Sequence, residues 1–201
     1  MGRAMRGAGL AAALALGAAA HAQPAGDSAS REAFRICDAR AFLALNIARN
    51  YLMTDRNRQA VIPHLGGDAA AEAQAEALMQ RIDDGAIRTP GDAAADALFQ
   101  CAAEQKVTVG APRQRVSLCF TRTDVPFFLH LERSNKVVRQ QAVSRVQARL
   151  KSRELYPTAL INQVAEAVYA PPQLPDVQRL MGAVAWGCIH PPPSASSAAS
   201  R

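Results

Sequence analysis

From Phe34 to Leu52 the apolar residues Phe34, Cys37, Ala41, Ala44, Leu45, Ala48 and Leu52 recur at three- and four-residue steps. That spacing predicts one face of an α-helix, with Ser30 ahead of it as an N-cap. The stretch "TDRNRQAVIPHLGG" opens with capping residues, carries a short helical run and breaks near Pro63 and Gly66. Asp68 caps a third segment in which Ala71, Ala75, Leu78, Met79 and Ile82 keep helical register, and Gly85 ends it. "TPGD" at 89–92 supplies Thr89 as N-cap, Pro90 at the first helical position and Asp92 to complete a capping box. Ala94, Ala97, Leu98 and Cys101 fall on one face of that fourth helix.

The second half follows the same plan. Thr123 or Asp124 caps a helix with Pro126 in its first turn, and a basic helix follows over 137–152. In that helix Val138, Ala142, Val146 and Leu150 form an apolar stripe. Pro157 and Thr158 open the next, with Leu160, Ile161, Val164 and Val168 on one face. "APPQLP" at 170–175 separates it from a last helix carrying Val177, Leu180, Met181, Val184 and Cys188 in register. The pattern predicts an all-α fold.

"FRICDAR" at 34–40 and "VSLCFTR" at 116–122 place a cysteine and an arginine at the same offsets, 82 positions apart. "RQAV" at 58–61 and "QQAV" at 140–143 keep the same separation, and Phe99 and Trp186 each stand two before a cysteine. These echoes predict a duplicated four-helix unit, spanning 31–110 and 111–190.

The four cysteines, Cys37, Cys101, Cys119 and Cys188, allow three pairings. Four up-and-down helices return the chain to its starting end, which favours Cys37 with Cys101 and Cys119 with Cys188. Each bridge would contribute roughly 4 kcal/mol in the chain-entropy model. Disulfides imply an oxidising compartment. The N-terminus agrees: Arg3 and Arg6 precede the apolar run "GLAAALALGAAA", and "AHA" at 20–22 offers a cleavage point. Residues 1–22 are thus expected to be a signal peptide, 23–30 a flexible lead-in and 191–201 a disordered tail. The apolar run is shorter than the ~20 residues of a membrane span. The mature chain is expected to be periplasmic or secreted, without an integral membrane segment.

Charge changes the picture more than composition does. Residues 31–110 carry nine basic and eleven acidic groups, whereas 113–189 carry eleven and five. Arg133, Lys136, Arg139, Arg145, Arg149, Lys151 and Arg153 follow one another with no acid among them. Arg145, Arg149 and Arg153 stand four residues apart and predict a ridge. With Arg139 they are the candidate anion-binding residues. Nucleic acid is a poor fit, because no aromatic residues are interleaved for base stacking.

Candidate chemistry is sparse. His64, His130 and His190 sit at unrelated positions, and no CxxC motif occurs, so neither a metal nor a cofactor is expected. Asp83 and Asp84 are the nearest approach to a carboxylate pair for acid–base hydrolysis. The expectation is an exported, non-enzymatic helical module that binds another cell-envelope protein. The alternatives are a binder of anionic lipid headgroups or polymers through 133–153, and a hydrolase with a carboxylate site.

Overall fold

A computed structural model describes residues 28–191. The expected signal peptide, the lead-in before Ser28 and the tail from residue 192 lie outside the described residues. Among those described, the regular structure is entirely helical.

Helix α1 spans Ser28–Met53. It starts earlier than expected, so Ser30 lies inside its first turn instead of capping it. Asp55 and Arg56 then take left-handed backbone angles that end the helix. Two short 3-10 turns follow, Arg58–Ala60 and Ile62–Leu65, the first capped by the Asn57 side chain. Helix α2, Ala69–Asp83, is capped by Asp68, which accepts from the amides of Ala70 and Ala71. Helix α3, Pro90–Gln105, has the full capping box of Thr89 and Asp92.

The second half contains α4 (Arg113–Thr121), α5 (Asp124–Ser134), α6 (Arg139–Arg149), α7 (Thr158–Tyr169) and α8 (Val177–Ile189). The two halves therefore do not carry four helices each. The first has three α-helices and two 3-10 turns, and the second has five α-helices.

Packing explains the arrangement. The central core draws on both halves: Cys37, Ala41 and Leu45 of α1, Ala94, Leu98 and Cys101 of α3, Val116, Cys119 and Phe120 of α4, and Met181, Ala185 and Ile189 of α8. So the four-helix layer is formed across the halves. Its helices approach closely because Ala94, Ala95 and Ala102 make the α3 face small, and because Gly91 of α3 lies against α4. A Cβ at Gly91 would sit 2.2 Å from the Ser117 carbonyl oxygen and 2.1 Å from Thr121 Oγ1. Aromatic rings fill the seam: Phe42 meets Phe120 at 5.2 Å, and Trp186 meets Phe34 at 5.1 Å.

Each half adds a flank. Ile47, Ala48 and Tyr51 of α1 pack on Leu78, Met79 and Ile82 of α2 and on Val61. On the other side Val125 and Leu129 of α5 pack on Ala142 and Val146 of α6 and on Ile161, Val164 and Val168 of α7. Leu150 joins this cluster, but Val138 does not and is 60% exposed. Val138 is the N-cap of α6 with extended backbone, so it falls outside the helical register that aligns the other three.

Both disulfides join residues within one half, Cys37 to Cys101 and Cys119 to Cys188. Each links the early part of its half to the C-terminal turns of its last helix.

Candidate functional site

The basic stretch divides into three kinds of position. Arg139 and Arg145 lie on α6 but are paired: Arg139 with Glu166 of α7 at 2.5 Å, and Arg145 with Glu132 of α5 at 3.0 Å. Arg149 ends the helix, with its guanidinium 4.5 Å from the Phe128 ring centroid. Leu150 leaves the helical backbone region, so Arg153 lies in the exposed turn beyond. The expected ridge of Arg145, Arg149 and Arg153 is thus cut after its second member. Lys136 precedes α6, and Lys151 and Arg153 follow it. These three, with Arg179 at the start of α8, have no ion-pair partner among the described residues. Gln140, Gln141, Ser144 and Gln147 are also exposed on α6.

The halves differ in how they use their cations. Six of the nine in 31–110 hold carboxylates: Arg35, Arg40, Arg49, Arg56, Arg58 and Arg81. Of the eleven in 113–189, Arg113, Arg139 and Arg145 do so. Arg115, Arg122 and Arg133 instead donate to backbone carbonyls.

One buried polar centre joins the halves, and the sequence pattern did not disclose it. Arg49 of α1 is 2% exposed. Its Nε donates to Asp124 Oδ1 at 2.9 Å and its Nη2 to Thr123 Oγ1 at 2.9 Å. Tyr156 donates to the other Asp124 oxygen, also at 2.9 Å, and the Phe127 ring lies 4.7 Å from the guanidinium carbon. Burial pulls the Arg49 guanidinium below its ordinary value, and Asp124 opposes that shift. Burial pushes the Tyr156 phenol up, and the Asp124 charge adds to it. Each donor meets an acceptor, the arrangement a buried ion pair requires.

The expected carboxylate pair is not brought to one site. Asp83 accepts from Tyr51 and Arg58 and lies 3.6 Å from Arg56, while Asp84 accepts from Gln80. Burial alone would raise the Asp83 carboxyl. The hydrogen bonds from Arg58 and Tyr51 and the charges of Arg58 and Arg56 outweigh that, and hold it below the ordinary carboxylate range. A general acid needs the opposite shift. His190 stacks on Trp186 at 5.8 Å, and among the described residues no cluster of His, Cys, Asp or Glu could hold a metal ion.

The two disulfides have different surroundings. Cys37 and Cys101 are sealed in the core, and so is Cys119. Cys188 is partly exposed and lines a shallow depression of about 450 Å³ with Arg115, Leu118, Cys119, Arg122 and Pro191. Arg115 donates to the Cys188 carbonyl oxygen at 3.0 Å, and Arg122 Nη1 lies 3.7 Å from Cys188 Sγ.

The chain matches no family model, no curated protein and no solved structure. Among the described residues no helix is long and apolar enough to cross a membrane.

Proposed function

We propose that this chain is an exported, non-enzymatic interaction module, built from two related units, whose basic second half docks on an acidic face of another envelope protein. The observation that carries this reading is the contrast in charge balance, eleven cations against five acids in 113–189 and nine against eleven in 31–110. The first half pairs five of its nine cations with its own carboxylates, and its eleven acids outnumber all nine, although Arg31, Arg88 and Lys106 have no ion-pair partner among the described residues. The second leaves Lys136, Lys151, Arg153 and Arg179 facing solvent unpaired. Unpaired exposed cations attract an acidic surface and speed encounter with it. The neutral residues among them favour protein over lipid. Gln140, Gln141, Ser144 and Gln147 offer hydrogen bonds at a wet interface, whereas a helix seated in a bilayer surface presents large apolar side chains. Two disulfides fit an oxidising compartment. The shared 82-residue offset, and the contact of α1 with α3 and of α4 with α8, support a common unit.

The test replaces Lys136, Lys151, Arg153 and Arg179 with glutamine. Capture from envelope extract is then compared with the parent at low and high salt, alongside binding to anionic vesicles. The expected result is an acidic protein that the parent retains at low salt and the variant loses. Equal capture by both would remove the basic half from the interface. Salt-sensitive binding to vesicles alone would replace the protein partner with lipid.

A further inference from the structure

The two disulfides share a sequence frame but differ in one neighbour. Arg40 stands three residues after Cys37, and Arg122 stands three after Cys119. In the first half Glu104, three after Cys101, takes Arg40 into an ion pair at 2.7 Å. Three after Cys188 the chain has Pro191, which offers no carboxylate. Arg122 is therefore left beside the disulfide, donating to the Leu155 carbonyl at 3.0 Å and approaching Cys188 Sγ at 3.7 Å. Arg115 brings a second guanidinium to the same depression.

We propose that Cys119–Cys188 is a thiol–disulfide exchange site, opened by a dithiol reductant at the accessible Cys188, while Cys37–Cys101 is a permanent closure. The attacking species in exchange is a thiolate, and its rate depends on access to one sulfur and on stabilisation of negative charge along the line of three. Cys188 provides the access. Arg115 and Arg122 provide a positive field for the incoming thiolate and for the sulfur that departs. In the first step a bond forms between the reductant sulfur and Cys188 Sγ, and the bond to Cys119 breaks, releasing the Cys119 thiolate. In the second step the other reductant thiolate attacks its own bridged sulfur and releases the Cys188 thiolate beside Arg122. Two electrons pass from the dithiol to the protein, the dithiol closes to a disulfide, and its two protons end on Cys119 and Cys188.

Helix α8 stays docked when the bridge opens. Met181, Ala185 and Ile189 remain buried, and Trp186 Nε1 donates to Asp38 at 3.0 Å. Opening therefore releases a dithiol on a folded protein.

The experiment treats the native protein with dithiothreitol, traps thiols by alkylation over time, and maps them by peptide mass. Far-UV circular dichroism, which reads the helices, is followed in parallel. Cys188, and then the buried Cys119, are expected to be alkylated before Cys37 and Cys101, with the dichroism unchanged. Arg122→Gln should slow their appearance roughly three- to tenfold, and Arg122→Lys should restore most of the rate. Pro191→Glu, a surface change that gives Arg122 a carboxylate, should slow it in the same direction. The proposal is overturned if Cys37 and Cys101 appear first or all four appear together. It is equally overturned if helical dichroism is lost in step with alkylation, or if Arg122→Gln and Pro191→Glu both leave the rate unaltered.

Discussion

The first half runs from Ser28 to Met53 as one helix, while the stretch 82 positions later is broken into α4 and α5. The residue at issue is small. Where the first half has Ala44, the second has Pro126. Proline has no amide hydrogen to donate four residues back, and its ring crowds the carbonyl there, which in this register belongs to Arg122. The backbone responds by tightening to three-residue bonds, Thr123 to Phe120 and Val125 to Arg122, each at 3.1 Å. The break opens a helix N-terminus inside the protein, and Asp124 occupies its first turn, where the helix dipole favours a carboxylate. The unbroken helix supplies Arg49 to meet it. One stretch thus gives the cation and the other the site that receives it, so the halves fit because they differ.

Breaking that link has the largest expected effect. Arg49→Met leaves the Asp124 carboxylate buried without its cation and should cost about 3–5 kcal/mol in urea denaturation. Asp124→Leu should cost a similar amount. Combining the two removes both charges and should recover much of the loss. If the double variant is as unstable as the sum of the singles, the centre is not acting as a pair. Next comes the proline itself. Ala44→Pro imposes the second half's break on α1, where no acceptor exists to use it, and should cost about 3 kcal/mol or more. Pro126→Ala should shift stability by less than about 1 kcal/mol, because Thr123 and Asp124 remain held by Arg49 and Tyr156. Equal losses at the two positions would show that α5 requires the proline for reasons other than the break.

These two features also mark what the sequence could disclose. Helices with side-chain caps were legible: Asp68 and Thr89 cap α2 and α3, and the stripe Ala75, Leu78, Met79 and Ile82 is buried as its spacing predicts. The disulfide pairing agrees with the matched cysteine spacing, although the four-helix count behind the topological argument does not hold. Helix α4 was not assigned, because it is nine residues long and starts after Pro112 with no side-chain cap. The inward place of Arg49 was hidden for another reason. Arginine normally sits at the surface, and the acid that makes burial tolerable lies 75 positions away. The ridge drawn through Arg145, Arg149 and Arg153 failed because periodicity extends past a helix end when no glycine or proline marks it.

The crossing of α3 over α4 sharpens the comparison at smaller amplitude. Gly91→Ala forces a Cβ against the Ser117 carbonyl, a backbone atom that cannot swing away, and should cost about 1–3 kcal/mol. Gly182 on α8 has open space around its Cα, so Gly182→Ala should instead stabilise by up to about 1 kcal/mol through helix propensity. Thermal denaturation of the two variants measures both signs. A neutral Gly91→Ala would mean that the interface between the halves is loose enough to yield.

The smallest effect is expected where each half joins a tyrosine to an aspartate. Tyr156 and Asp124 are buried, while Tyr51 bonds Asp83 near the surface with Arg58 and Arg56 alongside. The Asp83 carboxyl is held below its ordinary value, so it binds a proton less readily in the folded chain than in the unfolded one. Its stabilisation is present above the ordinary aspartate value of about 4, and is lost as pH falls through the lower folded value. The phenol of Tyr156 is raised, so its contribution is complete below the ordinary phenol value of about 10 and is lost at more alkaline pH. In denaturation midpoints measured across pH, the acid side should therefore report the Asp83 pair, and the alkaline side the raised phenols of both tyrosines. Asp83→Asn should flatten the acid side, and should also lessen the alkaline dependence, because the Asp83 charge and hydrogen bond help to raise the Tyr51 phenol. Tyr156→Phe should flatten the alkaline side, with a loss near neutrality because Asp124 gives up a hydrogen bond. If Asp83→Asn leaves the acid slope as steep as in the parent, other carboxylates set it, and Asp92 is the next to replace. Bonds from Ser117 and Thr89 outweigh burial there and lower its carboxyl too.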